Sequence, residues 1–178
     1  MIRYATLLTA LFYITAQAQQ NHHNLIIGTY TNSCASGGIY VYGFNTETAE
    51  FSSKASTKNM VNPSFLTLSK DKEYVYSVNE NGSDSQVSSF KFNSDTGNLQ
   101  YLNSKSSEGN DPCHIINDGK YVFVANYSGG NITVFNKSKD GTIGKYVQIV
   151  KHEVQGNDQD KPESSHMHML QFSPNKDY

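Results

Sequence analysis

A single arginine, Arg3, serves the whole 178-residue chain, and Lys and Arg together number 14 against 16 Asp and Glu. No basic stripe runs along it, so it lacks the electrostatic footprint of a nucleic-acid binder and nucleic acid is excluded as a partner. Cysteine is almost absent: Cys34 and Cys113 are the only two, and they form no metal-type spacing. They are read as unpaired thiols, since their separation in sequence says nothing about the geometry a disulfide needs. Helical periodicity is nearly missing throughout. Long apolar runs are missing too, except near the start.

There, Arg3 precedes an apolar run through Ala5, Leu7, Leu8, Leu11, Phe12 and Ile14, and Ala16-Gln17-Ala18 closes it. A positive n-region, a short apolar segment and small residues at a cleavage site make residues 1–18 a secretory signal peptide. The run is shorter than the roughly 20 residues a spanning helix needs. Residues 19–178 are therefore expected as an exported domain, periplasmic or secreted, with no membrane span once the signal is removed.

What remains is rich in Val, Ile, Tyr, Phe and Thr, set out in short alternating runs broken by turn residues. Strands are expected at 25–30, 38–44, 64–68, 74–78, 86–92, 120–125, 131–135 and 146–150. One turn recurs: Phe44-Asn45-Thr46-Glu47-Thr48-Ala49-Glu50-Phe51, then Phe92 to Leu99, then Phe135 to Ile143. A second motif recurs out of phase with it, Asn62-Pro63-Ser64-Phe65 and Asp111-Pro112-Cys113-His114, with a looser copy at Ser165-His166-Met167-His168. A period of about 40–50 residues holding about four strands is a propeller blade. The fold class is all-β, a β-propeller with about three blades represented: an initial half-blade, two full repeats and the first strand of another. The chain stops in mid-repeat, with Tyr178 aligned on Tyr74, and reads as a fragment.

Meander geometry gathers the polar candidates. Strand 1 of a blade starts at the end to which strand 2 returns. Pro112-Cys113-His114 opens strand 1 and Asn126-Tyr127 closes strand 2, so both lie at one mouth. The same holds for Asn62-Pro63 with Asn79-Glu80, and for His166 and His168, which are two apart and share a face on a strand. Glu80, His114, Asn126, Tyr127, His166 and His168 are expected around one polar rim, the kind of mouth that binds small ligands.

Ile27-Gly28-Thr29-Tyr30-Thr31, Gly38-Ile39-Tyr40, Asn62-Pro63-Ser64-Phe65-Leu66, Val78-Asn79-Glu80, Pro112-Cys113-His114, Ala125 to Gly130 and Ser165 to His168 follow in the order and spacing of a known family. Through them the chain resembles the first half of the seven-bladed propeller lactonases, which include propeller-type 6-phosphogluconolactonases and carboxymuconate cyclase-like relatives. The resemblance implies hydrolysis of a small-molecule sugar lactone by general acid/base catalysis, with no metal and no organic cofactor. His168 or His114 would activate water, and Glu80 would orient a histidine or assist the leaving oxygen. Asn126, Tyr127, Asn79 and His166 would bind substrate. The fragment alone would be inactive. Two alternatives stand beside this reading. One is a metal-dependent lactonase, with zinc on His114, His166 and His168 or calcium on Glu80, Asn79 and Asn126. The other is a non-catalytic propeller that only binds.

Overall fold

The computed structural model describes residues 21–152 and 165–175. The signal-peptide expectation at 1–18 and the strand expected to open at Tyr178 lie outside the described residues. Among the described residues eleven strands form three antiparallel sheets, and each sheet is a simple meander. Blade 1 is β1 (His22–Ile27), β2 (Tyr40–Asn45) and β3 (Phe51–Ser56). Blade 2 is β4 (Leu66–Leu68), β5 (Tyr74–Asn79), β6 (Gln86–Phe92) and β7 (Leu99–Ser106). Blade 3 is β8 (Pro112–Asn117), β9 (Tyr121–Asn126), β10 (Asn131–Lys137) and β11 (Ile143–Lys151).

Blade 1 is more than the expected half-blade. The recurring turn joins β2 to β3, β6 to β7 and β10 to β11. By that correspondence blade 1 carries strands two, three and four, and among the described residues no strand takes the place of β4 and β8 in it. The outer strands β3 and β7 were not expected as alternating runs. Their burial explains this: β3 reads mostly exposed and β7 alternates only weakly. An outermost strand touches no second blade on much of its length, so no period-2 apolar pattern is imposed on it.

Burial instead peaks on β5, where all six residues are buried. Successive side chains of a strand point to opposite faces. Tyr74, Tyr76 and Val78 turn toward blade 3 and pack with Val87, Ile115, Val122, Val124, Phe135 and Ile143. Val75 turns the other way and packs with Phe90, Phe92, Ile39 and Val41 of blade 1. Each such aliphatic or aromatic side chain contributes about 1.5–3 kcal/mol when fully buried. The two cores therefore lie between blades, and neither belongs to one blade alone.

The repeat extends to the backbone. The third and fourth strands slip register at Val41/Tyr42 in blade 1, Ser89/Phe90 in blade 2 and Val134/Phe135 in blade 3. Counted from the last pair before the turn, Phe44–Phe51, Phe92–Leu99 and Lys137–Ile143, these are one position, so a β-bulge recurs in every blade, and blade 3 adds a second shift between Phe135 and Lys137. In blades 1 and 2 the turn is fixed by an Asn side chain that accepts from two following amides, Asn45 from Glu47 and Thr48 and Asn93 from Asp95 and Thr96; in blade 3 Asp140 accepts from Thr142 instead. Its left-handed residue is Ala49, Gly97 and Gly141 in turn.

Candidate functional site

The mouth is built from two ring positions, each used three times. The first follows the end of strand two. Asn79 pairs with Gln86 and Ile27 pairs with Tyr40, and the common turn then aligns Tyr30, Glu80 and Tyr127. The second opens strand one. Leu66 pairs with Ser77 and Ile115 with Val124, which aligns Ser64 with Cys113, and the register that sets Tyr178 on Tyr74 puts His168 level with them. All six of these residues, together with Asp111, line one cleft of about 350 Å³. The sequence reading found Glu80, Tyr127 and His168. It passed over Tyr30, Ser64, Asp111 and Cys113, although the motif that flagged His114 already placed Ser64 and Cys113 at one repeat position.

Glu80 is held from two sides. Tyr30 Oη donates to one carboxylate oxygen at 2.5 Å, and Ser64 Oγ donates to the other. That hydrogen bond to Glu80, together with burial, pushes the Tyr30 phenol up to about 12, so it keeps its proton and serves as a donor. Asn62 brings the two blades together. Its side-chain oxygen accepts from the Thr31 and Asn32 amides at 2.8 and 3.1 Å, and its Nδ2 donates to the Glu80 carbonyl at 2.8 Å. Asn62 is buried and left-handed, with φ 37°, a conformation Asn tolerates better than most residues.

The next boundary repeats the joint. Asp111, with φ 52°, accepts from the Gly82 amide at 2.9 Å, and its carbonyl accepts from the Tyr127 amide at 2.9 Å. Beside it Cys113 Sγ faces the His168 and Met167 carbonyls at 3.3 and 3.5 Å. Burial pushes the Cys113 thiol up, which disfavours the thiolate a nucleophile would require.

Among the described residues no strand runs through 165–170, yet both histidines still meet one partner. His166 stacks on the Tyr127 ring with centroids 4.3 Å apart and planes at 19°. His168 meets the same ring edge-on at 5.3 Å. His114 does not line the cleft. Its half-buried ring packs on Phe65 at 4.4 Å, and Nδ1 accepts from the Leu170 amide at 3.4 Å. Burial, and then the nearby His168, hold its pKa below the ordinary histidine value. His114 thus docks the 165–175 segment in neutral form.

Asn79 and Asn126 also stand behind the cleft and not in its lining. Asn79 donates to the Val61 carbonyl and accepts from Ser88. Asn126, fully buried, donates to the Ser107 carbonyl and Thr133 Oγ1. The Asn79 amide is engaged at both ends and Asn126 Nδ2 at its own, while Asn126 Oδ1 is buried without a partner; neither side chain lines the cleft, where the sequence placed them as substrate contacts. Among the described residues no three His, Cys, Asp or Glu side chains are disposed to share a metal, the His114, His166 and His168 trio included. No helix among them is long and apolar enough to cross a membrane.

Comparison with known proteins meets this geometry. A 6-phosphogluconolactonase from Formosa agariphila is 30% identical over 158 residues, which cover 86% of this chain and 45% of that protein. A Bacillus subtilis 6-phosphogluconolactonase is 29% identical, with 85% of this chain and 44% of that protein covered. Among solved structures, a Bacteroides fragilis protein superposes with a TM-score of 0.82 at 37% identity, covering 88% of this chain and 44% of that one. The periplasmic gluconolactonase of Pseudomonas aeruginosa gives 0.68 at 32%, covering 74% and 39%. The chain thus spans a little under half the length of these relatives. Residues 24–178 match the family described as "Lactonase, 7-bladed beta-propeller", and the chain belongs to that family.

Proposed function

We propose that this chain supplies part of the mouth of an enzyme that hydrolyses a sugar lactone. The observation that carries the proposal is the cleft in which Glu80 of blade 2 and His168, from the segment that follows blade 3, stand at positions the repeat fills with Tyr, Ser and Cys elsewhere. Of the two histidines expected as base, His168 lines the cleft and His114 does not. Water adds through its oxygen to the lactone carbonyl carbon while His168 takes its proton. The bond from that carbon to the ring oxygen then breaks, and the imidazolium returns the proton to the departing oxygen. The Glu80 carboxylate stabilises the imidazolium while it exists, and Tyr127 offers an aromatic face to the sugar.

Among the described residues two carboxylates and no Lys or Arg line the cleft, which favours an uncharged aldonolactone over a phosphorylated one. Export of the protein, proposed from its first residues, accords with such a substrate. Activity is expected to need the remainder of the ring, because losing one preorganised donor alone typically costs about 100–1000-fold. The test is proton release from gluconolactone and from its 6-phosphate, corrected for spontaneous hydrolysis, with a protein of the relatives' full length. His168→Ala is expected to lower kcat about 100-fold or more, with His152→Ala unchanged. No rate above buffer on either lactone would hand the mouth to the binding reading, and greater loss from His152→Ala would overturn the base assignment.

A further inference from the structure

We infer that Tyr30 and Ser64 are positioning residues that act through Glu80, and that Asn62 delivers Tyr30 to it across the boundary between blades 1 and 2. The inference rests on the reading of Glu80 as the anion of a hydrolytic mouth. A free glutamate rotates about three side-chain bonds, and a carboxylate that must face one developing positive charge cannot be left to do so. Here each oxygen of Glu80 takes a different hydroxyl, Tyr30 from one blade and Ser64 from the next. The backbone beneath is pinned as well. The Glu80 amide donates to the Asn62 carbonyl at 3.2 Å, and Asn62 Nδ2 donates back to the Glu80 carbonyl.

Tyr30 needs the same device. It follows β1 in irregular chain and is 53% exposed, so packing does not hold it. The next two amides bind the Asn62 side chain, and Thr31 Oγ1 both accepts from the Asn62 amide at 3.0 Å and donates to the Met60 carbonyl at 2.8 Å. At the equivalent place in the next boundary, Tyr127 replaces Glu80 and Cys113 replaces Ser64. That pair holds no carboxylate. The clamp is therefore a property of one boundary built on a joint that both boundaries share.

The experiment is a double-mutant cycle on lactone hydrolysis by a protein of the relatives' full length. Tyr30→Phe and Ser64→Ala should each lower kcat about 10–100-fold, the scale seen when the orienting partner of a reactive group is lost, and leave KM nearly unchanged. Ser64→Thr, which keeps the hydroxyl, should recover most of the loss. In a Glu80→Ala background neither change should cost anything further. A Tyr30→Phe loss that persists in full without Glu80 would overturn the inference, because Tyr30 would then act on substrate directly. A second arm needs no activity. With ring-labelled tyrosine, the Tyr30 resonance in wild type should stay that of the phenol beyond pH 11, and in Glu80→Gln it should titrate nearer the ordinary value of about 10. An unchanged titration overturns the clamp. Absence of any lactone hydrolysis sinks the function proposed above, and the titration still decides whether the carboxylate grips the phenol.

Discussion

The boundary between blades 1 and 2 and the boundary between blades 2 and 3 share a backbone and differ in chemistry. At each, the residue before a proline adopts a left-handed conformation, its side-chain oxygen accepts an amide from the preceding blade, and its carbonyl accepts the amide of a cleft residue. Asn62 at the first boundary makes three side-chain bonds that Asp111 makes only in part. The first joint consequently holds the tighter cluster, Tyr30, Ser64 and Glu80, and the second holds Cys113 and Tyr127 beside the incoming His168. Framework and reactivity are thus separable: the repeat maintains the joint, and two ring positions per blade carry whatever the mouth requires.

The largest expected difference lies in the joint residues themselves. Asn62→Ala removes the acceptor of the half-buried Thr31 amide and of the Asn32 amide and the donor to the Glu80 carbonyl, and should cost about 3 kcal/mol of unfolding free energy. Asp111→Ala removes one contact at the surface and should cost about 1 kcal/mol. Equal losses in urea titration would show that the two joints are not built to different tolerances. Gly28 sharpens the same contrast. It aligns with Val78 of the next blade, yet a Cβ at Gly28 would collide with the Pro63 carbonyl oxygen. Gly28→Ala should destabilise by about 1–3 kcal/mol, and an unchanged midpoint would mean that blade 1 sits more loosely than drawn.

The pH dependence separates the second boundary from the first, since Phe65 stands where blade 3 has His114. A pKa lowered in the folded state means that the unfolded chain binds the proton first on acidification. Stability from a neutral His114 is therefore whole above the free histidine value of about 6.5 and falls as pH drops through the folded value. His114→Phe should flatten the decline of Tm between pH 7 and 5, and an unaltered slope would refute the assignment of that decline to this ring. Smallest of all, Ala49 occupies the left-handed turn position that blades 2 and 3 give to glycine. Ala49→Gly should stabilise blade 1 by about 1 kcal/mol, read as a rise in Tm.

The blade period and the turn chemistry were legible because both are local: an Asn that accepts from its own following amides leaves the same signature wherever it occurs. The convergence of Glu80 and Tyr127 was legible because strand direction alone sends them to one end, and the repeat of the strand-opening motif brought His168 with them. The direction of each side chain at that end was not. Asn79 and Asn126 sit one residue before Glu80 and Tyr127, and a period of two turns them away from the cleft, where Asn79 and the Asn126 Nδ2 bond the framework. Ser64 and Cys113 carry no charge and were legible as a motif and not as part of the site, and Tyr30 lies in irregular chain whose course is set by Asn62, more than 30 residues away in sequence.

Tyr127, held face-on by one histidine and edge-on by another, has an optical consequence. The chain contains no tryptophan and 12 tyrosines, so its near-ultraviolet emission comes from phenols alone and is not masked by indole. A ring in contact with imidazoles is a phenol whose brightness depends on what lies against it. A sugar that displaced His166 from that face would change the light the molecule gives off, and the mouth would report its own occupancy with no label attached.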